Sequence, residues 1–169
     1  MRKTTAVILA LLVLLASVPF SAAAKKTDDL RIAFISDTHL LPEELTGGYN
    51  DAFKEDTYDR GKPAEQSQGL LLSALASLKA RAKSEDLDYL VVTGDLTKDG
   101  ELASHKRLAQ LLEQFEKDSG AQVAVIPGNH DINMGPSEYS TGVAQSTPNT
   151  SPRQFLQIYK NLGFDLATP

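Results

Sequence analysis

The chain is 169 residues long, 41% hydrophobic and 23% charged, with a formal net charge of −5. That length fits one ordinary domain, and that apolar share is too high for a disordered chain. Lys and Arg number 17 against 22 Asp and Glu, so sequence-independent nucleic-acid binding is not expected; the absence of Cys excludes disulfides, thiolate metal sites, iron–sulfur clusters, a Cys nucleophile and an acylated lipoprotein anchor.

The chain opens on the basic stretch Met1-Arg2-Lys3. An apolar run over residues 6–18 follows, interrupted by Ser17, then Pro19 and the small residues Ala22, Ala23 and Ala24. This three-part pattern predicts a secretory signal peptide over residues 1–24. The run falls short of the roughly 20 apolar residues that span a bilayer. No stable membrane span is therefore expected after cleavage, a retained signal anchor being the alternative. The mature chain, residues 25–169, is expected to be secreted, extracellular or in the cell envelope. It is also more acidic, because cleavage removes Arg2 and Lys3.

Residues 31–36 (RIAFIS) predict a strand. Residues 37–66 are long, polar and marked by Gly47-Gly48 and Gly61-Lys62-Pro63, which predicts a loop of functional or flexible character. Its acidic residues Glu43, Glu44, Asp51, Glu55, Asp56 and Asp59 read as a solvated loop, a substrate-facing lid being the alternative. Tyr49, Phe53 and Tyr58 read as anchors of the loop, stacking on a substrate ring being the alternative. Leu71, Leu72, Leu75 and Leu78 share a helical face ending near Lys83. Residues 88–93 (DYLVVT) form a second strand, apolar enough to be covered on both faces. A helix over 101–117 carries the stripe Leu108, Leu111, Leu112 and Phe115, with Gly120 as its terminator. Residues 122–127 (QVAVIP) are the third strand and 128–150 a further loop. Ser151-Pro152 then supplies an N-cap and a first-turn Pro to a helix closed by Gly163.

Strands alternating with helices imply a parallel α/β sheet with right-handed crossovers. In such sheets ligands bind beyond the carboxyl ends of the strands. There the sequence places Asp37-Thr38-His39, Gly94-Asp95 and Gly128-Asn129-His130-Asp131. Each cluster alone fits an ordinary turn. Together they bring carboxylates, imidazoles and an amide oxygen to one rim, a donor set suited to Mn, Fe, Zn or Ni. His105, three residues before Leu108, reads as a packing or capping residue.

With Asp37-x-His39, the run from Gly94 to Glu101 and Gly128-Asn129-His130-Asp131, the sequence resembles the calcineurin-like metallophosphoesterase family over residues 30–164. The resemblance implies the N-terminal βαβαβ half of the metallophosphoesterase α/β sandwich, with the second sheet absent. It implies two divalent or trivalent metal ions: Asp37 and His39 on the first, Asp95 bridging, Asn129 on the second. His130 would stand by the phosphate as proton donor or transition-state stabiliser, oriented by Asp131. The substrate class so implied is a phosphomono- or phosphodiester, hydrolysed by metal-activated water.

Two departures from the family pattern stand out. The purple acid branch carries a Tyr three residues after the bridging Asp. Lys98 occupies that position here, so an Fe(III)–tyrosinate site is not expected. The family also completes its site with C-terminal Gly-His and Gly-His-x-His motifs, whereas this chain has three His in all. The chain therefore reads as the N-terminal portion of a phosphoesterase domain, needing a C-terminal half to complete the site. The alternatives are a truncated, non-catalytic fragment that binds metal weakly or docks a missing partner segment, and a scaffold of the same fold.

Overall fold

The computed structural model describes residues 29–58, 64–85 and 87–166. The leader proposed for residues 1–24 lies outside them. Among the described residues no helix is long and apolar enough to cross a membrane.

Three strands, β1 (Ile32–Ile35), β2 (Tyr89–Thr93) and β3 (Gln122–Ile126), pair in parallel in the order β1-β2-β3. The crossovers are α2 (Ala64–Glu85) and α3 (Leu102–Ser119), with a further helix, α1 (Asp51–Tyr58), between β1 and α2. This is the expected α/β arrangement. Successive right-handed crossovers in one direction put both connecting helices on the same face of the sheet. Ala33 and Ile35 of β1, Leu90 and Val92 of β2, and Val123 and Val125 of β3 point to that face and join Leu71, Leu75, Leu108, Leu112 and Phe115 in the main core. The opposite face leaves Phe34 67% and Ile126 53% exposed. The two-sided cover expected of β2 is thus one-sided among the described residues, with Val91 half-buried.

The described residues of 37–66 are more ordered than a loop. They hold a 3-10 turn at Glu43–Leu45, all of α1 and the first turn of α2. Phe53 and Thr57, four apart on α1, are buried, and Phe53 packs with Leu41, Leu45, Ala64 and Tyr139 in a second small core. The segment 128–150 likewise contains a hairpin of β4 (Ser137–Glu138) and β5 (Gln145–Ser146). The last helix, α4 (Pro152–Ile158), starts as expected. Ser151 Oγ accepts from Gln154 N, and Ser151 N donates to Gln154 Oε1, a reciprocal cap that satisfies two otherwise orphaned amides. At the end of α3, Gly120 takes φ 78° and its amide donates to Glu116 O, closing the helix where the sequence placed its end.

Candidate metal centre

The three polar clusters do converge. Beyond β1 the chain runs beside the segment leaving β2, with Asp37 N donating to Gly94 O (3.2 Å), His39 N to Asp95 O (2.9 Å) and Leu40 N to Leu96 O (3.0 Å). Gly94 N in turn donates to Ile126 O at the end of β3 (2.8 Å). Gly128 lies flat against Asp95, where an added Cβ would overlap the Asp95 backbone nitrogen. The loop after β3 can therefore approach the loop after β2 only with glycine at this position.

Asp37, His39 and Asp95 each present one ligand atom, and these atoms lie within 4.8 Å of one another. All three residues hold left-handed backbone, with φ of 54°, 39° and 46°. None is glycine, so each conformation costs energy, and such strain concentrates where side chains must be aimed. His39 Nδ1 is 3.4 Å from the carbonyl oxygen of Thr97. A carbonyl only accepts, so Nδ1 carries a proton, which makes Nε2, facing Asp95 Oδ2 at 3.8 Å, the nitrogen that can offer a lone pair to an ion. Asn129 is exposed on the same rim, and the His130 amide donates to Asp95 Oδ1 (3.0 Å). The His39 and His130 rings meet edge to face at 5.3 Å. Two hard carboxylates and a neutral imidazole nitrogen form a donor set that fits a divalent ion. Asp37 and His39 also border a groove of about 240 Å³ between β1 and α2, lined further by Ile35, Ser67, Leu70 and Leu71.

Asp131 plays a different part from the one expected. Its carboxylate, fully buried, accepts from Leu96 N (3.1 Å), Thr97 N (2.9 Å), Thr97 Oγ1 (3.1 Å) and Gly128 N (2.7 Å). It staples the loop after β2 to the loop after β3. The carboxylate at the His130 ring is that of Asp99, whose Oδ1 lies 3.0 Å from His130 Nδ1. The physical reason is proximity: Asp131 turns back into its own loop to meet clustered backbone amides, which attract a carboxylate strongly. Asp99 Oδ2 pairs with the buried Lys98 at 2.8 Å. Burial alone would lower the Lys98 pKa, but its hydrogen bonds and the charge of Asp99 hold it above the usual lysine value. Asp56 on α1, read from sequence as solvated, is the second carboxylate on Lys98, at 3.1 Å.

The chain thus belongs to a recognisable group. The sequence profile of the family described as "Calcineurin-like phosphoesterase" matches residues 30–165. The protein is a member of the calcineurin-like phosphoesterase family. Members of that family are hydrolases acting on phosphoesters with divalent metals, in keeping with the Asp37-His39-Asp95 group. A cAMP/cGMP dual specificity phosphodiesterase of Mycobacterium tuberculosis is 33% identical over 112 residues, which cover 65% of this chain and 30% of that protein. A "Probable cyclic nucleotide phosphodiesterase" of Coxiella burnetii is 29% identical over 102 residues, covering 60% of this chain and 32% of its own length. A protein of the same name from Vesicomyosocius okutanii is 37% identical over 57 residues, or 34% of this chain and 23% of that one. The chain spans about a third of the length of these relatives or less.

The third histidine is structural, as expected of its place on the α3 stripe. His105 is fully buried, with Nε2 2.8 Å from Asp131 O and Nδ1 2.9 Å from the Tyr159 hydroxyl. Burial holds its pKa below the usual 6.5. At a pH below that value the unfolded chain takes up a proton that the native ring refuses. Stability should therefore fall as pH drops from about 7 to about 5. Denaturant melts across that range are expected to show a positive slope with pH that is reduced in a His105→Gln variant.

Proposed function

We propose that the protein hydrolyses phosphodiesters, cyclic nucleotides included, using water activated by two divalent ions. The observation that carries this reading is the Asp37-His39-Asp95 cluster on strained, left-handed backbone, with His130 beside it on the same rim. The names of the cyclic nucleotide phosphodiesterases that it resembles point to the same substrate class. In this reading Asp37 and His39 would hold one ion, Asp95 would serve both, and Asn129 would supply a neutral oxygen to the second. Bound together, two such ions lower the pKa of a water and neutralise phosphate oxygens. His130 does what the protein must do itself: it delivers a proton from Nε2 to the departing alkoxide, with Nδ1–H held on Asp99. The residues that follow Met1-Arg2-Lys3 fit export of the mature chain, so the substrate would be met outside the cytoplasm.

The test is calorimetric titration of the mature chain with Mn(II) and Zn(II), together with hydrolysis of 3′,5′-cAMP with and without chelator. Metal binding with chelator-sensitive turnover supports the reading, and failure to bind either ion overturns it. A second reading is metal binding without turnover. The chain has three His, and His105 is committed to Tyr159 and Asp131. Binding without hydrolysis selects that second reading.

A further inference from the structure

Lys98 is 1% exposed, yet it sits one link from the rim where chemistry is expected. Its ammonium touches two carboxylates, Asp99 Oδ2 at 2.8 Å and Asp56 Oδ2 at 3.1 Å, and lies 5.6 Å from the centre of the Tyr139 ring. The two oxygens of Asp99 are thereby divided: one on Lys98, the other on His130 Nδ1. The Asp99 amide donates to both oxygens of the buried Glu101, at 3.1 and 3.2 Å, which fixes the backbone behind it. Asp56 is itself held, since the Tyr139 hydroxyl donates to its Oδ2. Tyr139, fully buried, is anchored in turn through its backbone: its amide donates to Leu45 O (2.8 Å), and its carbonyl accepts from Asn50 Nδ2 (2.7 Å). So α1 and the loop after β3 both end on Lys98.

We propose that Lys98 and Asp56 are positioning residues that hold the His130 imidazole in its working orientation through Asp99, a role resting on the reading of His130 as proton donor. Packing alone gives little reason for this arrangement. A buried ammonium is costly to desolvate, and an apolar residue of similar size often stabilises as well or better. What the ammonium adds is direction. An aspartate bound through one oxygen can rotate, whereas one bound through both presents a fixed acceptor to Nδ1–H. A carboxylate only accepts, so that contact keeps one proton on Nδ1, and the proton given to the leaving alkoxide is the second one, carried on Nε2. The second small core, built on Phe53 and Tyr139, becomes the rigid mount of this line.

The test compares the unaltered mature chain with Lys98→Met, Lys98→Arg and Asp56→Asn. The first readout is the Nδ1–H proton resonance of His130 by NMR. It is expected downfield and slowly exchanging in the unaltered protein, broadened in Lys98→Met and restored in Lys98→Arg. The second is turnover of two phosphodiesters. With 3′,5′-cAMP, whose alkoxide needs a proton, kcat is expected to fall about 10–100-fold in Lys98→Met with KM little changed. With bis(p-nitrophenyl) phosphate, whose leaving group needs none, the fall is expected to be much smaller. A folded Lys98→Met with an unaltered resonance, or with equal losses on both substrates, overturns the proposal. Should Lys98→Met not fold, Asp56→Asn decides by the same criteria, because Asp56 is only partly buried. If the unaltered chain hydrolyses neither substrate, the proposed activity fails while the resonance still judges the positioning line.

Discussion

Asp95→Asn is expected to remove metal-stimulated hydrolysis while leaving the protein folded. Asp95 is the residue on which the whole rim is built. Its backbone carbonyl receives the His39 amide, its Oδ1 receives the His130 amide at 3.0 Å, and its Oδ2 faces His39 Nε2 at 3.8 Å. Asparagine has the same shape, tolerates the left-handed φ of 46° better than most residues, and keeps an oxygen for the His130 amide. What it loses is the charge and the second oxygen, replaced by an amide that repels cations. Loss of an outer partner of a metal ligand costs roughly 10–100-fold, and loss of a residue proposed to serve both ions should exceed that. Metal stoichiometry by mass spectrometry and kcat/KM on a cyclic nucleotide check the outcome. Unchanged stoichiometry and turnover would mean that Asp95 bridges nothing.

Much of this rim was legible in the sequence because polar residues stood directly after apolar runs. The strand ends at Ile35, Thr93 and Ile126 fall within a residue of those predicted. Parallel pairing then left Asp37, Asp95 and His130 no choice but to meet. Other features had no sequence signal. Positive φ is usually announced by glycine, and Asp37, His39 and Asp95 give no such notice. Helix α1 is eight residues long and polar, with its inward side chains Phe53 and Thr57 spaced by a single turn, too short a span for periodicity to declare itself. The solvated reading of Asp56 failed because the residue that recruits it, Lys98, lies 42 positions away. Lys98 itself was visible as a departure from the purple acid pattern. The reason it is tolerated, two carboxylates and an aromatic face, exists only in the folded chain.

The part that Asp131 plays in stapling the two loops yields the sharpest stability expectation. Asp131→Ala is expected to destabilise the protein by about 3 kcal/mol or more, and to impair any activity through that loss. Its carboxylate satisfies the amides of Leu96, Thr97 and Gly128 together with the Thr97 hydroxyl. Removing it strands three backbone donors, two of them deeply buried, and each such donor costs about 1–3 kcal/mol. Against a total stability of roughly 5–15 kcal/mol, that is a large fraction. Asp131→Asn should fall between, because one oxygen still accepts while the new amide faces donors. Urea melts of the three proteins would rank them. The same series separates the two roles. Were Asp131 the orienter of His130, the alanine variant would keep its midpoint and lose the His130 Nδ1–H signature. With Asp99 in that position, the midpoint falls first, and the signature survives in whatever fraction remains folded.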